Sequence, residues 1–230
     1  MFGLPTALQQ TNDLELKQIM QQIVVLQNGV VASKMAKSGV RGNMNYGVSI
    51  IDIKRIALQY GTNHSLAARL CALKIREAKI LASLLFDAQT FTNSEFDMVF
   101  ESISNIELAE CFAQNLLWNI DNLLFWKQLF SGDKWQKVAA IYAVGWVFTK
   151  KTSNSELVFN LFKENLSDIL AQQITEIRKP LLSTLSTIAQ NGVYNQYVAE
   201  VIGQFAVSAN EFERDLATQY QWFYADNFAK

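Results

Sequence analysis

The sequence predicts an all-α fold, and three observations carry that prediction. Apolar residues recur at three- and four-residue spacing along almost the whole chain. Pro and Gly are scarce, with two and ten among 230 residues, whereas a chain of many short strands needs frequent turn residues. Small polar residues stand where periodic segments begin, as helix N-caps do.

The elements follow in order. Leu14, Leu16, Ile19, Met20, Ile23, Val24 and Leu26 form a first helical stripe. Val30-Val31 is too short for a strand. Ile50, Ile53, Ile56, Ala57 and Tyr60 form a second stripe, and Arg76 to Phe86, Phe96 to Ile103, Leu108 to Trp118 and Trp135 to Phe148 behave alike. Ser49 before Asp52, Ser94 before Asp97 and Asn210 before Glu213 have capping-box spacing. Asn63, Ser131 or Asp133, Ser155 and Ser167 are further candidate starts, and Gly61 and Gly192 are candidate ends. The chain reads as about ten or eleven helices joined by short loops. Antiparallel pairs at 49–73, 76–103, 105–130, 133–165 and 167–208 suit a HEAT-like repeat α-solenoid, an alpha-alpha superhelix. A compact helical bundle is the alternative. The length suits one domain, 1–230.

Several chemistries are excluded by composition. Cys71 and Cys111 share no metal-type spacing, and His64 is the single histidine. A zinc site or disulfide framework is therefore not expected, and a Ser or Cys triad would have to use His64. There is no His-Glu-x-x-His, P-loop or Gly-x-Gly-x-x-Gly. No metal or cofactor is expected. The first fifteen residues lack a basic segment followed by a long apolar run. The strongest apolar stretch, Val138 to Phe148, is too short to span a bilayer. A cytoplasmic, reducing location is the expectation.

The net charge is −1, which by itself speaks against a strongly basic nucleic-acid binder. Its distribution does not. Residues 34–79 carry +7, residues 80–133 carry −7 and residues 134–151 carry +4. The first block holds Lys34, Lys37, Arg41, Lys54, Arg55, Arg69, Lys74, Arg76 and Lys79 against Asp52 and Glu77. Such a block is a candidate polyanion surface if the cations share a face. Lys54 and Arg55 are neighbours and cannot both point the same way. The alternative is an ordinary solvated face balanced by the acidic block beside it.

Three motifs occur in a characteristic order. Tyr46-Gly47-Val48 runs into a helix carrying Asp52, Lys54 and Arg55. Arg76-Glu77-Ala78-Lys79-Ile80-Leu81-Ala82 opens another helix. Trp135-Gln136-Lys137-Val138-Ala139-Ala140-Ile141 opens a third. Over roughly residues 14 to 190 this order resembles the DNA alkylation repair family of HEAT-like-repeat DNA glycosylases, as a divergent member. The resemblance implies a double-stranded DNA partner and excision of cationic N3- or N7-alkylated purines. In active members a Trp-Asp-x-x-Asp segment supplies the catalytic carboxylate. A carboxylate about 4 Å from an oxocarbenium-like sugar contributes on the order of 4 kcal/mol at an effective dielectric near 20.

The matching segment is Asn105-Ile106-Glu107-Leu108-Ala109-Glu110. By resemblance Glu110 is the candidate catalytic residue and Glu107 takes the first Asp position. Ile106, Glu107, Trp135 and Val138 would line the lesion pocket. Ile106 stands in place of the aromatic, and Val138 in place of an arginine, with Lys137 one residue earlier. Pro180 and Ser183 stand where a second tryptophan is expected. The DNA-binding set is Lys34, Lys37, Arg41, Lys54, Arg55, Lys74, Arg76, Lys79 and Lys137. The competing expectation is a catalytically inactive HEAT-like scaffold that binds DNA structures or protein partners.

Overall fold

The structure is a computed structural model that describes residues 7–38, 40 and 44–224. Among these residues thirteen α-helices and four short 3-10 turns form, with one isolated parallel bridge between Met44 and Ile75 and no sheet. The chain divides into two compact units, Met1–Leu116 and Leu117–Lys230.

The first unit contains α1 (Ala7–Val25), α2 (Gly29–Lys37), α3 (Ile50–Tyr60), α4 (His64–Cys71), α5 (Arg76–Leu85), α6 (Phe96–Ser102) and α7 (Ile106–Asn115). Helix α5 is buried on nearly every side and packs against α3, α4 and α7. Helix α4 also packs on α6. Each helix thus stacks on the one after next, as helices of successive antiparallel pairs do in a repeat array. Ile53, Ile56, Leu66, Leu70, Ile80, Leu81, Leu108 and Phe112 fill the core between them.

The second unit contains α8 (Leu123–Ser131), α9 (Lys134–Lys150), α10 (Ser155–Ala171), α11 (Arg178–Ala189), α12 (Asn195–Ala206) and α13 (Glu211–Tyr224). Helix α9 packs against α8, α10 and α11, and α11 against α12 and α13. This position explains the apolar run from Val138 to Phe148: a helix covered all round is hydrophobic all round. Trp126 is fully buried, and its indole N–H donates to the Ile120 carbonyl at 2.9 Å.

Most expected boundaries hold. Ser49, Asn63 and Asp133 cap α3, α4 and α9 with side-chain oxygens that accept backbone N–H groups, and Gly61 ends α3 at φ +58°. Asn210 accepts from the Phe212 N–H at the start of α13. Two starts differ. The cap before α6 is Thr92, which forms a capping box with Glu95, so the turn begins two residues before Ser94. Ser167 lies inside α10, whose apolar face continues through Leu166, Ile169 and Leu170. Near the end of α13, Trp222 and Phe223 are 82% and 74% exposed. No described helix is long and apolar enough to cross a membrane.

Candidate nucleic-acid interface

Two of the three motifs meet in space. The extended stretch Tyr46–Val48 lies along the start of α5. The Glu77 carboxylate accepts the backbone N–H groups of Tyr46 and Val48, each at 3.2 Å. Arg76 Nη1 donates to the Val48 carbonyl at 3.0 Å and to Glu77 Oε1 at 2.9 Å. Just upstream, the Met44 N–H donates to the Lys74 carbonyl and the Arg76 N–H to the Met44 carbonyl, both at 2.8 Å. Gly47 sits at φ +73°, and a Cβ there would run into the Asn28 carbonyl and lie 2.8 Å from the Ala32 nitrogen. The glycine is required both for its backbone angle and for the close approach of α2.

The same arginine reaches the segment expected to be catalytic. Arg76 Nε donates to Glu107 Oε2 at 2.7 Å, and Nη2 to Glu107 Oε1 at 2.6 Å. This bidentate pairing is the strongest form of a charge-assisted hydrogen bond. Burial pulls the Arg76 pKa down, but the hydrogen bonds and charges of Glu107 and Glu77 outweigh it and the net shift is upward. Arg76 is 1% exposed. The expectation that it contacts phosphate is therefore corrected: its donors are taken by two carboxylates and a carbonyl. Glu107 is drawn onto the same guanidinium, its side chain 19% exposed.

Asn105 caps α7 by accepting the Leu108 N–H at 3.0 Å, and Ile106 beside it is half-buried. Glu110 lies one turn on from Glu107 and is exposed, with no ion-pair partner among the described residues. Cys111, next in the chain, is buried. Burial pushes its thiol up to about 12, with the charge of Glu107 next and those of Arg76, Glu110 and Lys54 also acting.

The remaining cations of the first unit are scattered. Lys34 and Lys37 are exposed on α2, and Lys74 is exposed in the turn before α5. Arg55 is exposed but paired with Asp52 of its own helix at 2.9 Å. Lys79 is 7% exposed, and burial lowers its pKa; the charges acting on it are Cys71, Glu101 and Lys74. Its place as a surface cation is corrected too. Arg41 lies outside the described residues.

In the second unit Trp135 is half-buried at the start of α9. The Lys134 amine stands 4.2 Å from its ring centroid and 2.7 Å from Glu176 Oε1. Its ring already carries a cation. Lys137 donates to Gln172 at 3.3 Å. Val138 is fully buried, so its expected place in a lesion pocket is corrected. No group of His, Cys, Asp and Glu able to hold a metal is present among the described residues.

Sequence reasoning missed Glu77 and Asn28. Glu77 was visible as one of only two acids in the basic block, beside Asp52, which is the signal of a partner for one of those bases.

The comparisons with known proteins agree with this architecture. No curated protein matches the chain. A solved structure described as "A new family of proteins related to the HEAT-like repeat DNA glycosylases with affinity for branched DNA structures" superposes with a TM-score of 0.68. It shares 18% identity, over 91% of this chain and 95% of that one, and so establishes the HEAT-like repeat fold. The family of DNA alkylation repair enzymes matches residues 19–175, more than half of the sequence and all three motifs. The chain belongs to the DNA alkylation repair enzyme family.

Proposed function

We propose that this protein binds DNA, branched forms in particular, and does so without excising bases. One observation carries the reading. The Glu107 carboxylate, at the first acidic position of the family's catalytic segment, is held by Arg76 through hydrogen bonds of 2.7 and 2.6 Å. Val138, at the position of the family's arginine, is sealed in a hydrophobic core. The aromatic position is Ile106. What is left for a ligand is charge: Lys34, Lys37, Lys54 and Lys74, all exposed and suited to phosphates. A fold-related protein is described as having affinity for branched DNA.

A second reading is favoured by Glu110, which is exposed at the catalytic position of the family's segment and keeps a carboxylate there. A carboxylate one methylene longer than aspartate would then stabilise the sugar cation of an alkylated nucleotide.

The experiment measures binding to a junction and to a duplex of matched sequence across a salt series. It then assays release of 7-methylguanine from alkylated duplex. The expected result is junction binding with a clear salt slope and no release above the uncatalysed rate. Release abolished by Glu110→Gln would establish the second reading. Absence of binding at low salt would overturn both.

A further inference from the structure

Helix α2 is the one described α-helix assigned no buried residue. It leans on the molecule through Val31, Ala32 and Met35, all half-buried. It is held mainly by backbone: the Asn28 N–H donates to the Tyr46 carbonyl at 2.7 Å, and Gly47 packs against its first turn. Asn45 adds a contact to the Met35 sulfur at 3.4 Å. The opposite face carries Val30, Lys34 and Lys37, at i, i+4 and i+7, in one stripe. All three are exposed, Val30 by 68%. Across the turn from α1, Val25 is 83% exposed. From Leu16 to Ile51 the sequence holds no Asp or Glu.

This surface has two chemistries in a fixed order, an apolar tip and a basic stem. We propose that α2 is a docking arm for branched DNA, with Lys34 and Lys37 on converging phosphates and Val30 against the base-pair face left unstacked at the branch. The inference rests on the DNA-binding reading above and adds where and how the branch is recognised. Charge complementarity selects a polyanion, because an acid-free stretch of this length offers nothing to a cationic partner. The apolar tip selects a branch over a plain duplex. Side chains of this kind gain contact where base steps open, while an intact stack presents only its grooves and phosphates. Helix α2 lies far enough from the core that its exposed face can be changed without emptying a cavity.

The test uses the full chain, a synthetic four-way junction, a linear duplex of the same sequence, and phosphatidylserine vesicles. Circular dichroism and urea midpoints of all variants should match wild type. The pair Lys34→Gln with Lys37→Gln should weaken binding to both DNAs by about tenfold or more and lower the slope of log K against log salt by about two. Val30→Asn should weaken junction binding and leave the slope and the duplex affinity unchanged. The proposal is overturned if the lysine pair changes neither affinity nor slope, or if Val30→Asn affects junction and duplex equally. It is also overturned if the lysine pair abolishes vesicle binding while DNA binding persists. A wild-type protein that binds neither DNA removes the underlying function as well, a result distinct from any loss confined to the variants.

Discussion

Arg76 and Glu107 are joined by two parallel hydrogen bonds of 2.7 and 2.6 Å, although 31 residues separate them in sequence. Through the same guanidinium and the adjacent Glu77, the start of α7 is tied to the start of α5 and to the backbone of Tyr46–Val48. Both ionised partners of Arg76 are largely withdrawn from water, with side chains 0% and 19% exposed. Such a group is costly to break from one side. Arg76→Leu should destabilise the protein by about 3–5 kcal/mol, because two carboxylates lose their counter-charge. Arg76→Lys should recover only a small part, since a single ammonium cannot fork onto Glu107 and still reach the Val48 carbonyl. Urea unfolding followed by circular dichroism measures both.

Three glycines separate crowding from backbone angle. Gly47→Ala meets both a positive φ and the backbone of α2, and it should lose several kcal/mol. Gly61→Ala meets no crowding but a backbone of φ 58° and ψ −159° that essentially only glycine adopts, and it should lose about 1–3 kcal/mol. Gly203, inside α12 with nothing within 4 Å of an added Cβ, should gain about 0.5–1 kcal/mol on becoming alanine. Thermal melts of the three variants should fall in that order, with Gly203→Ala above wild type.

The sequence revealed the elements better than it revealed the site, for a physical reason. A helix cap is local: Ser49, Asn63 and Asp133 each reach a backbone N–H two or three residues on, so spacing alone identifies them. Ser167 misled because a serine in mid-helix resembles a cap until the apolar face is followed past it. Charge is not local. Arg76 and Lys79 count toward the +7 block, yet both are buried, one neutralised by acids from two elements and one packed near Glu101. Lys34 and Lys37 carry the same formal charge in that block and are exposed. Only the fold distinguishes the two kinds.

Both thiols should be inert in the native protein. Burial pushes Cys111 up to about 12 and raises Cys71, and the thiolate is the reactive form. At pH 8 a disulfide reagent such as Ellman's should find no fast-reacting cysteine in the native state and both after denaturation. A fast thiol in the folded protein would contradict the packing around α4 and α7.

His64 Nε2 lies 2.5 Å from Glu95 Oε1, and Glu95 also accepts from the Thr92 N–H and hydroxyl. Burial pushes the Glu95 pKa up, but the hydrogen bonds from Thr92 and His64 and the charge of His64 bring it below its ordinary value. A depressed carboxylate adds stability above its unfolded pKa and loses it as pH falls toward the folded value. Glu95→Gln should therefore destabilise at pH 7, and its difference from wild type should shrink as pH falls below about 4.5, the ordinary glutamate value. A difference that stays constant down to pH 3 would show that the contact contributes as a neutral hydrogen bond alone.

The glycine at Gly47, the acid at Glu77 and the base at Arg76 hold one another in place, and none of them needs a substrate to do so. The role of these residues is mechanical. A change in nucleobase chemistry at the ligand face would leave this brace untouched, because no ligand takes part in it. Two of the three motifs by which the chain is recognised as kin are therefore parts of its frame, and recognition by them is silent about which descendants still cut.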